Sequence, residues 1–156
     1  MEIKIVCENE KYLPQYANDT DACMDLKICV PISDSIKFSQ GDNTIVIQPN
    51  EVRVIGTGIK VAIPEDYVML LFPRSSTGIK LHCQLANTVG VIDAGYRDEV
   101  KLALHNFGEE PLTLVDGQRV AQFLVIPRPK LSCNVVPDDV EFRNGDRGGG
   151  IGSTGV

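Results

Sequence analysis

The stretch Gly-Val-Ile-Asp-Ala-Gly-Tyr-Arg-Asp-Glu-Val-Lys-Leu-Ala-Leu, Gly90 to Leu104, joins a turn sequence to a run of alternating apolar residues. A period of two is the pattern of a half-buried β-strand, and here it runs through Val100, Leu102 and Leu104. Strand-like runs at 85–91 and 97–107 flank residues 93–96, so the sequence predicts a hairpin with these four residues in its loop. A loop held between strands can aim side chains, although Asp-Ala-Gly is also an ordinary turn sequence.

The same period of two recurs along the chain, at Ile3 and Ile5, at Val52 and Val54, and at Ile59, Val61 and Ile63. Turn sequences separate these runs, at residues 41–43, 49–50, 64–66 and 116–117. This spacing is typical of an all-β sandwich or barrel, and a length of 156 residues fits one domain. One short helix is predicted after Ser75-Ser76-Thr77, whose hydroxyls could cap a helix that runs toward Ala86.

The composition narrows the possible functions. A formal net charge of -6 argues against general binding to nucleic acid, which needs Lys and Arg across a broad surface. We find neither a signal peptide nor an apolar run as long as a membrane span, so we expect no membrane contact and a cytoplasmic location. The five cysteines form no Cys-x-x-Cys pair, which indicates reduced, mostly buried thiols and neither a disulfide framework nor a zinc site.

The last twelve residues differ from the rest, since six of them are Gly. Such a segment cannot form a core by itself, so we predict a β-barrel domain at residues 1–144 and a mobile, Gly-rich arm at residues 145–156. The arm could fold closely over a polyphosphate, with Arg143 or Arg147 supplying charge and Ser153 and Thr154 supplying hydroxyls. A tail that binds nothing is the alternative.

Four further groups of residues could act on a nucleotide. Asp93 lies three residues before Tyr96, which pairs a carboxylate with an aromatic ring. Arg74-Ser75-Ser76 offers a planar cation and two hydroxyls suited to phosphate, or simply a helix cap with an exposed Arg. Asp25 could hold the waters of a hydrated Mg²⁺ or cap a turn. Gln122 could donate to phosphate or be a buried structural amide.

Five segments, taken in order, resemble the five motifs of the trimeric deoxyuridine triphosphatase (dUTPase) family. They are Ala22-Cys-Met-Asp25-Leu, Arg74-Ser75-Ser76, Asn87-x-x-Gly-Val-Ile-Asp93-x-x-Tyr96-Arg97, Arg119-Val-Ala-Gln122 and Arg147-Gly-Gly-Gly-Ile-Gly-Ser-Thr-Gly155. The resemblance covers nearly the whole chain. Residues 31–48 match least, and we interpret them as a surface excursion or a partner site.

The resemblance implies an all-β jelly roll (the dUTPase-like β-clip) that assembles as a homotrimer with exchanged C-terminal arms. It also implies Mg²⁺-dependent hydrolysis of dUTP to dUMP and pyrophosphate, by attack of an Asp-activated water on the α-phosphate. This reaction would limit uracil in DNA and supply dUMP for dTMP synthesis. Because dUTPase-like trimers can act as nucleotide-gated regulators, a regulatory protein partner is a further expectation.

By the same resemblance, Asp93 is the catalytic base and Tyr96 packs against the deoxyribose, where a 2′-hydroxyl would collide with the ring. The backbone that reads uracil includes Asn87, Gly90, Val91 and Ile92. The phosphate-binding residues are Arg74, Ser75, Ser76 and Gln122, together with Arg147, Gly152, Ser153 and Thr154 of the arm. Ile151 takes the stacking position over uracil, and Asp25 holds Mg²⁺ through water.

Three departures from the family pattern limit this transfer. Ile151 stands where Phe is usual, and the spacing from Arg147 to Gly152 is one residue short, which leaves either Arg143 or Arg147 as the γ-phosphate ligand. Gly95 replaces a frequent acidic residue and resembles the related dCTP deaminases. The catalytic Glu of those deaminases would fall at Ala103, which can neither accept nor donate a proton. A deaminase or bifunctional relative is therefore the alternative to a dUTPase.

Overall fold

The computed structural model describes residues 1–31, 33, 36–37, 43–140 and 142–145. The strands, in chain order, are β1 (Lys4–Cys7), β2 (Met24–Lys27), β3 (Ile36–Lys37), β4 (Asn43–Ile47), β5 (Val52–Ala62), β6 (Tyr67–Pro73), β7 (Cys83–Leu85), β8 (Gly90–Ile92), β9 (Glu99–Asn106), β10 (Leu112–Val115) and β11 (Arg119–Pro127). A 3₁₀ turn at Glu10–Tyr12 and the helix α1 at Ser75–Ile79 are short. In the described ranges, no helix has the length and apolar character needed to span a membrane.

The strands form three sheets, in the orders β1-β5-β9-β7, β10-β4-β3 and β2-β11-β6-β8. All the pairings between these strands are antiparallel. The alternation in β9 places Val100, Leu102 and Leu104 in one core, at 1% exposure or less. The predicted all-β fold is therefore confirmed. The period of two correctly indicated the inward side chains of β9, whereas Val52 and Val54 of β5, which the same pattern selected, are 51% and 62% exposed.

The predicted hairpin around residues 93–96 is wrong, because β8 and β9 do not pair with each other. β8 pairs with β6, whereas β9 pairs with β5 and β7. Gly90 lies so close to Leu71 of β6 that a Cβ on Gly90 would come within 2.9 Å of its side chain, so only glycine permits this approach. The segment between Ile92 and Glu99 therefore crosses from one sheet to another.

The predicted helix is present but is shorter than expected and is not capped by hydroxyls. The N-cap residue is Arg74, which makes no side-chain capping bond, and its carbonyl oxygen accepts from the N–H groups of Thr77 and Gly78. The helix ends at Ile79, and the last regular bond runs from the Lys80 N–H to the Ser76 carbonyl oxygen, while the Leu81 N–H bonds to that same oxygen instead of to Thr77. His82 then adopts a φ of 49°, which no helix can continue.

Residues 43–47, expected to belong to a surface excursion, form the core strand β4. Ile45 and Ile47 are 3% and 0% exposed, and β4 pairs with β10 and β3. Within residues 31–48, positions 32, 34–35 and 38–42 lie outside the described residues. The cysteine prediction is also wrong in part, since all five are free but only Cys83 is buried.

A buried hydrogen-bond network ties the turn between β10 and β11 to the start of the chain. Asp116 Oδ1 accepts from the Tyr12 hydroxyl at 2.9 Å and from the Val30 N–H at 2.8 Å, and Asp116 Oδ2 accepts from Lys11 Nζ at 2.5 Å. Burial alone would raise the pKa of the Asp116 carboxyl, but these three donors lower the pKa below its ordinary value. The sequence indicated only a turn at this position.

The described strands end at Pro127, and no strand is present in residues 128–140 and 142–145. Apolar side chains in this segment lie in solvent, with Leu131 at 87% and Val135 at 98% exposure. Residues 141 and 146–156 lie outside the described residues, so the predicted boundary between residues 144 and 145 stays a prediction.

Candidate functional site

A cluster of charged and polar side chains lies at one end of the sheet β2-β11-β6-β8. Its centre is Asp25, whose side chain is 8% exposed. Arg74 Nε lies 2.7 Å from Asp25 Oδ1, and Arg119 Nη1 donates to Asp25 Oδ2 at 3.0 Å. We call Asp25, Arg74, Arg119 and Gln122 the cationic cluster, because two guanidinium groups face one carboxylate and leave a net positive charge.

Strand pairing fixes the positions in this cluster. Asp25 of β2 lies opposite Gln122 of β11, and Gln122 lies opposite Phe72 of β6. Gln122 Nε2 donates to the carbonyl oxygen of Pro73 at 3.1 Å, which holds the amide beside the end of β6. The chain then turns into α1, so Arg74 stands where the strand ends and the helix begins.

A cleft of about 410 Å³ opens beside the cluster. It is lined by Ala17, Asp21, Ala22, Cys23, Asp25, Arg74, Ser75 and Gln122. Ser75 is exposed at the first position of α1, and Ser76 follows it half-buried. Three of the four residues predicted to bind phosphate, Arg74, Ser75 and Gln122, therefore line one cleft with Asp25, and Ser76 is not part of that lining. Guanidinium and hydroxyl groups in such a cleft are suited to phosphate oxygens.

The loop at residues 93–97 forms a second arrangement. The Tyr96 N–H donates to the Asp93 carbonyl oxygen at 3.0 Å, and the Tyr96 hydroxyl donates to the Glu99 carbonyl oxygen at 2.8 Å. Arg97 Nη1 donates to the carbonyl oxygens of Ala94 and Tyr96. These bonds fix the turn, while the Asp93 side chain is exposed and can reach a ligand.

The backbone predicted to read a base precedes this loop. Asn87 is exposed in a tight turn, where Thr88 has a φ of 63° and its N–H donates to the Leu85 carbonyl oxygen at 2.9 Å. Gly90, Val91 and Ile92 form β8, with Gly90 buried and Val91 60% exposed. The turn, β8 and the 93–97 loop together form one continuous surface segment, which we call the loop half-site.

Asp93 and the cationic cluster lie at opposite ends of β6 in one chain. Ile92 pairs with Met69, so Asp93 lies beside residue 68, six residues before Arg74. At about 3.3 Å per residue, the separation along the strand is about 20 Å, far beyond a hydrogen bond of about 3 Å. One chain therefore cannot bring Asp93 and Arg74 to the same phosphorus atom.

The predicted arm residues cannot be placed, because Arg147, Ile151, Gly152, Ser153 and Thr154 lie outside the described residues. Of the two arginines predicted as alternatives for the γ-phosphate, only Arg143 is described. It is exposed and forms an ion pair with Asp138.

Sequence reasoning missed a role for Arg119, although this residue was part of the fourth motif. The signal was present in Arg119-Val-Ala-Gln122, where two adjacent apolar residues interrupt the alternation expected of a strand. The structure has a β-bulge at this point, between Arg119 and Ala121.

The donor set at Asp25 fits an outer-sphere role toward Mg²⁺. Each carboxylate oxygen has two acceptor sites, and Arg74 and Arg119 each use one, so both oxygens can still accept from a metal-bound water. Among the described residues, no group of three or more His, Cys, Asp or Glu side chains could hold a metal ion directly. Direct ligands would then come from the phosphates of a substrate.

The fold and these two arrangements define a class, namely all-β proteins with a polar cleft that contains arginine, serine and glutamine side chains and with a separate carboxylate–tyrosine loop. The chain belongs to the dUTPase family, whose model matches residues 9–155. The family assignment confirms the resemblance inferred from the five motifs, and the jelly-roll fold predicted from it.

Curated relatives and solved structures agree with this assignment. Deoxyuridine 5′-triphosphate nucleotidohydrolase of Clostridium tetani is 37% identical over 99% of this chain and 96% of its own length. The dUTPase of Staphylococcus bacteriophage 80alpha, solved with dUpNHpp, has a TM-score of 0.76 and 25% identity, with 99% of each chain covered. A variant dUTPase of phage phi11, described with a structural Mg(II) ion, has a TM-score of 0.74 and 22% identity, over 90% of this chain and 99% of that one.

Proposed function

We propose that this protein is a dUTP diphosphatase that hydrolyses dUTP to dUMP and pyrophosphate. The observation that carries the proposal is the presence of a cleft lined by Arg74, Ser75 and Gln122 together with an exposed carboxylate in a hydrogen-bonded loop, in a chain of the dUTPase family. The relative from C. tetani bears the name of this activity. The reaction would limit uracil in DNA and supply dUMP for dTMP synthesis, and we propose the cytoplasm as its location.

Asp93 is the proposed general base. Its carboxylate takes a proton from water, the water oxygen forms a bond to the α-phosphorus, and the bond from that phosphorus to the bridging oxygen breaks, with pyrophosphate leaving. Arg74, Ser75, Ser76 and Gln122 bind the phosphate oxygens and stabilise the charge that develops on them. Mg²⁺ would supply further charge neutralisation at the phosphates, and Asp25 would hold it through water.

The loop half-site supplies the proposed selectivity for deoxyuridine. The Tyr96 backbone is held by its N–H and the Tyr96 ring by its hydroxyl, so the ring can form a fixed wall against the deoxyribose and exclude a 2′-hydroxyl. Backbone groups between Asn87 and Ile92 would pair with uracil and leave no space for the methyl group of thymine. In the arm, we propose Ile151 over the base and Arg147, Gly152, Ser153 and Thr154 on the phosphates.

The active unit is proposed to be a homotrimer. Support comes from the separation of about 20 Å between Asp93 and Arg74 along β6, because the base and the phosphate ligands must reach one and the same triphosphate. A complete site therefore needs the loop half-site of one chain and the cationic cluster of another. A symmetric closed assembly makes each such site equivalent.

The test of the activity is pyrophosphate release from dUTP, dCTP, dTTP and UTP in parallel, with Mg²⁺ present and the base product of dCTP analysed. We expect turnover of dUTP alone, while deamination of dCTP would support the rival enzyme class. Asp93→Asn should lower kcat by about 10²-fold or more and leave dUpNHpp binding within a few fold, because only the proton acceptor is lost. Equal losses in binding and rate would count against Asp93 as the base.

A regulatory protein partner is the second candidate, added to catalysis. It is supported by the phage 80alpha relative, which is described among phage dUTPases that control transfer of virulence genes by a G protein-like mechanism. That description concerns the phage protein.

A further inference from the structure

Arg119 holds the side of Asp25 that Arg74 does not occupy. Its Nη1 donates to Asp25 Oδ2 at 3.0 Å, while Arg74 Nε lies 2.7 Å from Oδ1. The Arg119 side chain is 48% exposed and the Asp25 side chain is 8% exposed. One buried carboxylate therefore has two guanidinium partners, one for each oxygen.

The backbone departs from regular pairing to place Arg119 there. Residues three apart in a regular strand point to opposite faces of the sheet, so Arg119 and Gln122 should lie on different sides. The β-bulge between Arg119 and Ala121 adds one residue, and Val120 and Ala121 are both 0% exposed. A bulge re-aims the side chains that flank it. As a result Arg119 and Gln122 share the face that carries Asp25.

The bulged segment also contacts Arg74 through its backbone. The Arg74 N–H donates to the Val120 carbonyl oxygen at 3.3 Å, and Arg74 Nη1 donates to the Arg119 carbonyl oxygen at 3.4 Å. Arg119 thus contacts both members of the Asp25–Arg74 pair. Its side chain binds Asp25, and its carbonyl oxygen accepts from Arg74.

Two anions compete for Arg74 during the proposed reaction, the Asp25 carboxylate and a substrate phosphate. A buried carboxylate that loses its only partner is strongly destabilised, so Asp25 alone would retain Arg74. With Arg119 on Oδ2, Asp25 keeps a charged partner when Arg74 turns toward phosphate.

We propose that Arg119 is a positioning residue that keeps Asp25 paired and oriented, so that the Arg74 guanidinium is free to bind the substrate phosphates. Arg119 acts through Asp25 and does not touch the substrate. This inference rests on the proposed dUTPase activity, because it concerns how the same site binds its triphosphate.

The experiment compares wild type, Arg119→Gln and Arg119→Lys, with Arg128→Gln as a matched control. Arg128 follows the other end of β11 and its guanidinium donates to the Glu65 carbonyl oxygen at 3.1 Å, far from the cluster. The measurements are kcat and KM for dUTP, and the Kd of dUpNHpp by calorimetry with and without Mg²⁺.

Arg119→Gln should raise KM and the Kd of dUpNHpp about 10-fold and change kcat less than about 3-fold, because phosphate binding is lost and the base is untouched. Arg119→Lys should lie between Arg119→Gln and wild type, because it keeps the charge and loses the guanidinium fork. Arg128→Gln should match wild type. An unchanged Kd in Arg119→Gln, or a loss confined to kcat, would overturn the proposal.

A double variant tests whether Arg119 acts through Asp25. In an Asp25→Asn background, Arg119→Gln should weaken dUpNHpp binding by less than about 2-fold more, because the carboxylate that it positions is absent. Additive losses would mean that Arg119 contacts the substrate itself, and would overturn the positioning role. If Arg119→Gln fails to fold by circular dichroism, Arg119→Lys carries the same comparison, and a wild-type Kd for that variant would refute the proposal.

The activity of wild type is measured first, so that failure of the proposed dUTPase activity can be told apart from failure of the role proposed for Arg119. A wild-type chain that does not turn over dUTP overturns the proposed function and this inference with it. If wild type turns over dUTP and the Arg119→Gln variant has the same KM and Kd as wild type, only the inference about Arg119 is overturned.

Discussion

Two inactive variants should restore each other's activity when they share a trimer. The variants are Asp93→Asn, which lacks the proposed base, and Arg74→Ala, which lacks a proposed phosphate ligand. If each site takes the loop half-site from one chain and the cationic cluster from another, a mixed trimer contains some sites in which both parts are intact. The separation of about 20 Å between these residues within a chain is the structural reason to expect this.

The size of the recovery follows from random assembly. In an equal mixture, half of the chains carry an intact Asp93 and half carry an intact Arg74. A site is complete when an Arg74→Ala chain supplies the loop and an Asp93→Asn chain supplies the cluster, so about one quarter of the sites should be active. We therefore expect about 25% of wild-type kcat per chain after the variants are unfolded and refolded together, against about 1% or less for either variant refolded alone.

The assay is pyrophosphate release from dUTP at saturating substrate, at equal total chain concentration in every sample. A mixture of separately refolded variants is the control, and should be inactive until subunits exchange. Recovery near zero after co-refolding would refute the reasoning. It would mean that each site is built from one chain, and every chain in the mixture lacks either Asp93 or Arg74. Mixed trimers should be confirmed by giving the two variants different affinity tags and isolating the doubly tagged species.

The remaining predictions concern stability, a thiol and the arm. Because the pKa of Asp116 is lowered in the folded state, its ionised form stabilises the protein above the ordinary value of 3.8, and this contribution is lost as the pH falls through the lowered value. Asp116→Asn should therefore lower the free energy of unfolding by about 1–3 kcal/mol at pH 7 in urea titrations at fixed protein concentration, and the difference should shrink below about pH 4. Cys83, at 0% exposure and with its pKa raised by burial to about 11, should resist iodoacetamide at pH 8 until denaturant is added, and rapid labelling of the native protein would contradict its burial. Deletion of residues 145–156 should lower dUTP turnover at least about 10-fold with the trimer intact by light scattering, whereas full activity would show that the arm takes no part in the site. Ile151→Phe should tighten dUpNHpp binding severalfold through stacking on uracil, and an unchanged Kd would place residue 151 elsewhere.

The sequence predicted the positions of the strands better than it predicted which strands pair. Val100, Leu102 and Leu104 of β9 face the core as the period of two requires, because each of them must bury an apolar side chain. The same reasoning joined β8 to β9 in a hairpin, although β8 pairs with β6. Proximity in sequence cannot reveal that Gly90 packs against Leu71, since that contact depends on a residue about twenty positions earlier.

The candidate site was predicted by residue type, and the structure added its arrangement. Asp25, Arg74, Ser75 and Gln122 were each ambiguous alone, and the pairing of β2, β11 and β6 brings them to one cleft. What the sequence could not supply was the distance from this cleft to Asp93. That distance depends on the register of β8 on β6, which periodicity leaves undetermined.

If the proposed site is divided along β6, catalysis depends on assembly of the chains. Under the proposed assembly, a newly synthesised chain holds both halves but cannot hydrolyse dUTP until it meets its partners. Activity per chain should accordingly fall on dilution below the dissociation constant of the trimer, and should reappear with a lag when the protein is concentrated again.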